Sequence, residues 1–268
     1  MVEAIKYLIW FMKTVLIIGG AGGIGSFIVK FLLKKNYKVI IWGRSQEKFN
    51  ILRNQFKLKE VDRIIFDTID VSDKMRVQEG MQRIKSLDLL INMAGVVWPI
   101  GKTAEVNLEQ FKTAFEINFF GTLYVCYFAI PLLLKSSQGK IINFAGGGSA
   151  YSRENHAAYG CSKTAIVRLT ENLSLEYPQL DINIIAPGAH KTPMWQDETF
   201  DAKPEQWSNI DELIEFIDFL VSEESNGITG KFLHFKDNRK NMLEKIKQNS
   251  DLYTLRRIDD FNFSKIIK

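Results

Sequence analysis

The sequence predicts an α/β fold: a doubly wound, mainly parallel sheet of seven strands in a single domain. Short β-rich apolar runs alternate with helical stretches about seven times along the 268 residues. The apolar runs are nearly continuous, the pattern of strands covered on both faces. No internal repeat, low-complexity segment or Pro/Gly-rich linker divides the chain. Its length is enough for one large core.

Residues 13–18 form the first predicted strand and lead into Gly19-Gly20-Ala21-Gly22-Gly23-Ile24-Gly25. Phe27, Ile28, Phe31, Leu32 and Leu33 then recur at helical spacing. The second strand, 39–42, is followed by Gly43-Arg44-Ser45 and a helix carrying Phe49, Leu52 and Phe56. The third, 64–66, leads to Asp70-Val71-Ser72, with Ser72 expected to cap a helix that runs through Ile84. The fourth, 87–91, ends at Asn92-Met93-Ala94-Gly95, before a long helical region over 108–134. Strand five, 140–144, precedes a helix over 157–177, and strand six, 181–185, ends at Ala186-Pro187-Gly188. A polar and aromatic loop covers 189–208; a helix over 211–221 and a last strand, 231–235, follow. The expected organisation is an extension at 1–11, a domain at 12–237 and a charged, partly helical tail at 238–268.

Nearly half the residues are apolar and a quarter are charged, as in soluble globular proteins. The net charge of +4 comes without any dense Lys/Arg block interleaved with aromatics, so no nucleic-acid partner is expected. Residues 1–11 are too short an apolar stretch to span a bilayer and lack the features of a signal peptide. No membrane partner and a cytoplasmic location are therefore expected. Cys126 and Cys161 fit neither a zinc spacing nor a disulfide framework and are expected to be reduced core or near-core residues. The histidines are scattered, so a metal site has no support.

Glycines at 19, 23 and 25, between a first strand and a first helix, allow a tight turn and close approach of the backbone to a pyrophosphate. The acid that would hold a ribose in an NAD site is absent from the end of the second strand. Arg44 stands there instead, suited to the 2′-phosphate of NADP, which favours NADP over NAD. Tyr159 and Lys163 lie one helical turn apart on one face. An ammonium beside the phenol would draw its pKa down from about 10 and make it an acid/base group.

These pieces, in this order, resemble the short-chain dehydrogenase/reductase family in its compact single-domain branch. The resemblance covers residues 13–235 and rests on GGAGGIG, Asp70-Val71, NMAG at 92–95, NFFG at 118–121, YGCSK at 159–163 and PGAHKTPM at 187–194. It implies a Rossmann-type sheet and an NAD(P)-dependent oxidoreductase acting on a carbonyl or alcohol. By the same resemblance Tyr159 is the general acid/base, Lys163 tunes it and holds the nicotinamide ribose, and Asn118 positions Lys163 through a water. Asp70 and Val71 would lie against the adenine, while Asn92, Ala94 and Gly95 form the floor under the cofactor. Pro187, Gly188 and Thr192 would meet its nicotinamide and pyrophosphate end.

Two positions depart from the family pattern. Met93 stands where asparagine is usual, and Gly146 where a serine is expected, thirteen residues before the tyrosine. Losing one such hydrogen-bond donor typically costs ~10²–10³ in rate. Either Ser149, Tyr151 or Ser152 supplies the hydroxyl, or the substrate supplies its own, or catalysis is weak or lost. The last alternative makes the chain a cofactor-binding sensor or partner subunit. Similar glycine-rich loops occur in family members from polysaccharide gene clusters, pointing to a sugar phosphate or nucleotide sugar and to carbohydrate metabolism. Expected pocket walls are Trp98, Arg153, His156, His190, Lys191, Met194 and Trp195, with Arg153 and Lys191 as anion holders. The basic residues of the tail read as a solvated face. The helices at 108–134 and 157–177 imply a homodimer or homotetramer by resemblance.

Overall fold

The computed structural model describes residues 12–257; the expected extension at 1–11 and the last part of the tail lie outside them. Seven strands form one parallel sheet in the order β3-β2-β1-β4-β5-β6-β7. They are β1 (Thr14–Ile18), β2 (Lys38–Gly43), β3 (Ile64–Thr68), β4 (Leu89–Asn92), β5 (Lys140–Phe144), β6 (Asp181–Ala186) and β7 (Phe232–His234). All five residues of β1 are buried. Val15 and Ile17 join one apolar layer, Leu16 and Ile18 the other, which is why the run is continuously apolar.

The first layer packs under α1 (Gly23–Lys34), α2 (Gln46–Arg53) and α8 (Ile210–Val221). The second packs under α4 (Lys74–Gln82) and α6 (Gly121–Leu133). Between them in sequence are the short α3 (Leu58–Val61), which the periodicity did not predict, and α5 (Leu108–Phe115). The long α7 (Ala157–Glu176) lies against β6 and α5. The strand order reverses between β1 and β4, and the register sets Ile18 level with Asn92, and Asn92 level with Asn143. That crevice, beyond the carboxyl ends of the strands, is where such sheets bind ligands.

Three expectations change. Asp73, not Ser72, caps α4: its carboxylate accepts from the amides of Met75 and Arg76, while Ser72 bonds Asp70. Cys161 is exposed, because α7 turns Tyr159, Ser162 and Lys163 inward and 161 outward; Cys126 is buried. The long helix over 108–134 contains a π turn, Glu116–Phe120, between α5 and α6. Leu108–Leu133 is long and apolar enough to cross a membrane by length and composition, but half of it is buried within the protein. The tail forms α9 (Met242–Gln248) and then runs along β7.

Candidate active site

The glycine turn closes on itself. Gly19 has φ +81°, and a Cβ on Gly25 would lie 2.5 Å from the Gly19 carbonyl. The N-cap of α1 is Gly22, which offers no side chain to the first-turn amides. Those donors, with the positive end of the helix, are left for an anion. A Cβ on Gly23 would meet the Thr192 side chain at 2.6 Å, so the loop after β6 touches the phosphate turn. Ile24 packs half-buried against the first core layer.

Arg44, exposed after β2, reaches within 3.9 Å of Asp70, whose carboxylate also accepts from the Ser72 amide and hydroxyl. Val71 is buried against Gly121. Ala94 lies on Gly19, and Gly95 faces Asn118 and Lys163. Asn92 is buried and donates to Asn143 at 2.8 Å; its own Oδ1 has no hydrogen-bond partner among the described residues. The uncapped start of α1 and the exposed Arg44 guanidinium, one after β1 and the other after β2, fit the two phosphate groups of a phosphorylated dinucleotide.

The π turn places Asn118, fully buried, beside Gly95 and Val96. Its Oδ1 accepts from Val96 N at 2.8 Å, and its Nδ2 donates to Val96 O and to Ser162 Oγ, each at 3.0 Å. Ser162 in turn donates to the Tyr159 carbonyl at 2.8 Å. Lys163 Nζ donates to Phe144 O at 3.1 Å and lies 5.9 Å from the centre of the Tyr159 ring. A Cβ on Gly95 would touch Asn118 Oδ1 at 3.1 Å and Lys163 Nζ at 3.2 Å, so all three converge. Ser162 and the carbonyls of Val96 and Phe144 were not foreseen; the serine just before the lysine was the available signal.

Burial dominates the electrostatics here. It lowers the Lys163 pKa to about 8. It also raises that of Tyr159 to about 12, with the Arg153 guanidinium working the other way. The sequence predicted a lowered tyrosine. Desolvation of the phenolate outweighs the neighbouring cations, and Lys163 points at a carbonyl rather than at the hydroxyl.

Glycine at 146 has a steric reason. A Cβ there would lie 2.0 Å from the Tyr159 hydroxyl, so a serine could enter only if the ring moved. Ser149 does not replace that serine: its hydroxyl donates to Gly146 O at 2.6 Å and accepts from Gly146 N at 3.1 Å, closing the turn. Tyr151 is exposed and its neighbour Ser152 lies on the surface.

Arg153 and His156, expected to face substrate, are held instead by the loop after β6. Arg153 pairs with Glu198 at 2.6 Å and with Asp201 at 2.7 Å. His156, fully buried, bonds Glu198 at 3.0 Å and the Glu154 carbonyl at 2.6 Å. Burial works to raise the Glu198 pKa, but hydrogen bonds from the Asp201 and Phe200 amides and from His156 outweigh it and leave it lowered. His156, Glu198 and Asp201 have donor atoms within 4.8 Å of one another, as a metal site would. The Arg153 guanidinium already supplies the positive charge between the carboxylates, so the cluster reads as an ion-pair lock.

His190 is buried with Nε2 on the Pro187 carbonyl at 2.7 Å, and burial lowers its pKa. Gly188 has φ +77°, and a Cβ there would meet Ser208 and Phe235. Met194 and Trp195 lie in a short turn, Pro193–Gln196, where Trp195 packs edge-on to Trp207. Trp98 lies across from that loop in an open cleft of about 460 Å³ shared with Glu105, Asn107, Gln110, Asp197 and Thr199.

Residues 13–203 match the family model described as short chain dehydrogenase. The chain is similar to an uncharacterised oxidoreductase of Staphylococcus epidermidis, 29% identical over 194 residues that cover 70% of this chain and 82% of the relative. It is similar also to the 3-oxoacyl-acyl-carrier-protein reductase of Rickettsia typhi, 30% identical over 234 residues, 83% of this chain and 94% of the relative. The solved structure of ElxO with NADP bound superposes with a TM-score of 0.74 at 28% identity, covering 84% of this chain and 97% of that one.

Proposed function

The chain belongs to the short-chain dehydrogenase/reductase family and is an oxidoreductase, and from that premise we propose that it reduces a polar carbonyl with NADPH. The observation that carries this reading is the buried, hydrogen-bonded set Tyr159, Ser162, Lys163 and Asn118, with Lys163 and Asn118 meeting at Gly95. Arg44 supports NADP over NAD, since no carboxylate occupies the end of β2 and a guanidinium matches a phosphate in geometry and charge. ElxO binds NADP, which is consistent.

When bound, the nicotinamide supplies the hydride that reaches the carbonyl carbon. The chain's own residues do the rest. Gly19 to Gly25 and the start of α1 hold the pyrophosphate, and Arg44 holds the 2′-phosphate. Tyr159, whose high pKa keeps it protonated at neutral pH, donates its proton to the carbonyl oxygen as the alcohol forms. Lys163 steadies the charge left on Tyr159, and Asn118 and Ser162 fix the helix that carries both. Glycine at 146 leaves the tyrosine hydroxyl the place a serine side chain would take.

The substrate is a hydroxylated, sugar-type carbonyl. Supporting this are an aromatic platform, Trp98, and amide and carboxylate groups around the cleft. No lysine or arginine lines that cleft, and Arg153 is engaged by two carboxylates, so an uncharged hydroxylated end fits better than a phosphate. The enzyme is read as a cytoplasmic homodimer or homotetramer.

Tyr159→Phe is expected to abolish NADPH oxidation over a panel of sugar and small aliphatic carbonyls while NADPH still binds, measured by fluorescence titration. Retained turnover would remove Tyr159 from the proton step. Arg44→Ala is expected to weaken NADPH binding by about tenfold or more and NADH binding little; equal losses would take Arg44 out of the 2′-phosphate site.

A further inference from the structure

β7 is the last strand of the sheet, so one of its sides has no neighbouring strand. Such an edge offers backbone donors to any strand that meets it, and another copy of the same chain is the nearest source. On the inner side, Ile184 donates to Lys231 O and Phe235 donates to Ala186 O. The amides of Phe232 and His234 therefore face outward, and both are taken. Phe232 N donates to Tyr253 O at 2.7 Å. His234 N donates to the Asp237 carboxylate at 2.7 Å.

The segment that brings Tyr253 is fastened on both sides of this bond. Lys231 Nζ donates to Ser250 O at 2.6 Å and to Leu252 O at 3.2 Å. Glu171, nearly buried on α7, accepts from Leu255 N at 3.1 Å and pairs with Arg256 at 3.0 Å. Arg168 pairs with the same carboxylate and donates to Leu255 O at 2.9 Å. The apolar grip is two-sided as well. Tyr253 packs on the core layer under α1 and α8, and Leu255 on the opposite layer with Ala145, Ile166, Val167 and Ile184. Tyr253 has φ +58°, a conformation a tyrosine keeps only when its surroundings impose it.

We propose that residues 249–256 are a clasp that closes the β7 edge against strand addition by a second copy of this chain, leaving other faces for self-association. The strand that the clasp covers leads back to the loop after β6. Phe235, just after β7, supports Gly188 and His190, its ring centre 5.9 Å from that of His190. This inference is independent of the substrate and of the reading of Tyr159.

The test uses the full chain with Leu255→Ser and Arg256→Ala together, neither residue being among those assigned to cofactor, substrate or proton transfer. Hydrogen exchange of the Phe232 amide should speed by about tenfold or more. Sedimentation velocity over a range of concentrations should show larger species absent from the unaltered chain. Unchanged exchange at Phe232 overturns the clasp, and faster exchange with an unchanged mass distribution overturns its role against association. Should the double variant not fold, Arg256→Ala alone is read by the same two measurements.

Discussion

Lys163 is buried and Arg153 partly buried, both close to Tyr159, yet the chain treats their charges in opposite ways. Arg153 carries two carboxylates, Glu198 and Asp201, and shares the first with His156. Among the described residues Lys163 has no carboxylate partner; it has the carbonyl of Phe144 and the neutral neighbours Asn118 and Gly95. A buried cation with anionic partners is compensated and holds structure together. One without them costs stability, so its pKa falls, and its charge stays free to act on a neighbouring group. The pairing pattern separates the candidate site into a part whose cation is unpaired and a part that seats the loop after β6.

The comparison is broken most severely at Lys163. Lys163→Met is expected to cost at least ~10² in turnover. The same change should raise stability by about 1–2 kcal/mol near neutral pH, because an uncompensated buried charge is removed. The sign follows from the lowered pKa. Between about 8 and 10 the unfolded chain binds the proton that the folded lysine has lost, so stability rises with pH there. In the methionine variant that slope should vanish, as denaturant titrations at several pH values would show. In the unaltered enzyme, turnover should fall as pH rises through about 8, where Lys163 loses its charge. A variant less stable than the parent at pH 7 would mean that Lys163 is compensated after all.

Glu198→Gln tests the other side, with a smaller effect. It leaves Arg153 with Asp201 alone and His156 facing a neutral amide, and is expected to destabilise by about 1–3 kcal/mol. Hydrogen exchange over residues 193–201 should quicken, and the loss of activity should fall on the KM for the carbonyl more than on NADPH binding. Unchanged exchange in that loop would show that the ion pairs do not seat it.

Much of this is legible in the residue order alone. The glycines at 19, 23 and 25, the Tyr159/Lys163 spacing and the continuous apolar strands are local signals: a turn, one helix face, a strand buried on both sides. Each is fixed by residues within a few positions of one another. The caps and turns that failed did so over one or two residues, as when Asp73 won the amides expected to go to Ser72. The reading of Arg153 as an anion holder in the substrate pocket missed its partners over distance. Glu198 and Asp201 lie 45 and 48 positions away, and nothing in the local pattern at 153 announces them.

By itself, then, the sequence determined the parallel sheet, the glycine turn between the first strand and the first helix, and the placing of Tyr159 and Lys163 one turn apart on a single helix face. Periodicity and backbone freedom act at short range and leave their mark in residue order. Tertiary structure alone decided three things. One is why position 146 is glycine, since the Tyr159 hydroxyl takes the space of a side chain. Another is which buried cation is compensated. The third is that the described part of the tail bonds to the outer side of β7. All three depend on which distant groups share a water-poor interior, where an unpaired charge, an unmade hydrogen bond or an extra methyl group costs most.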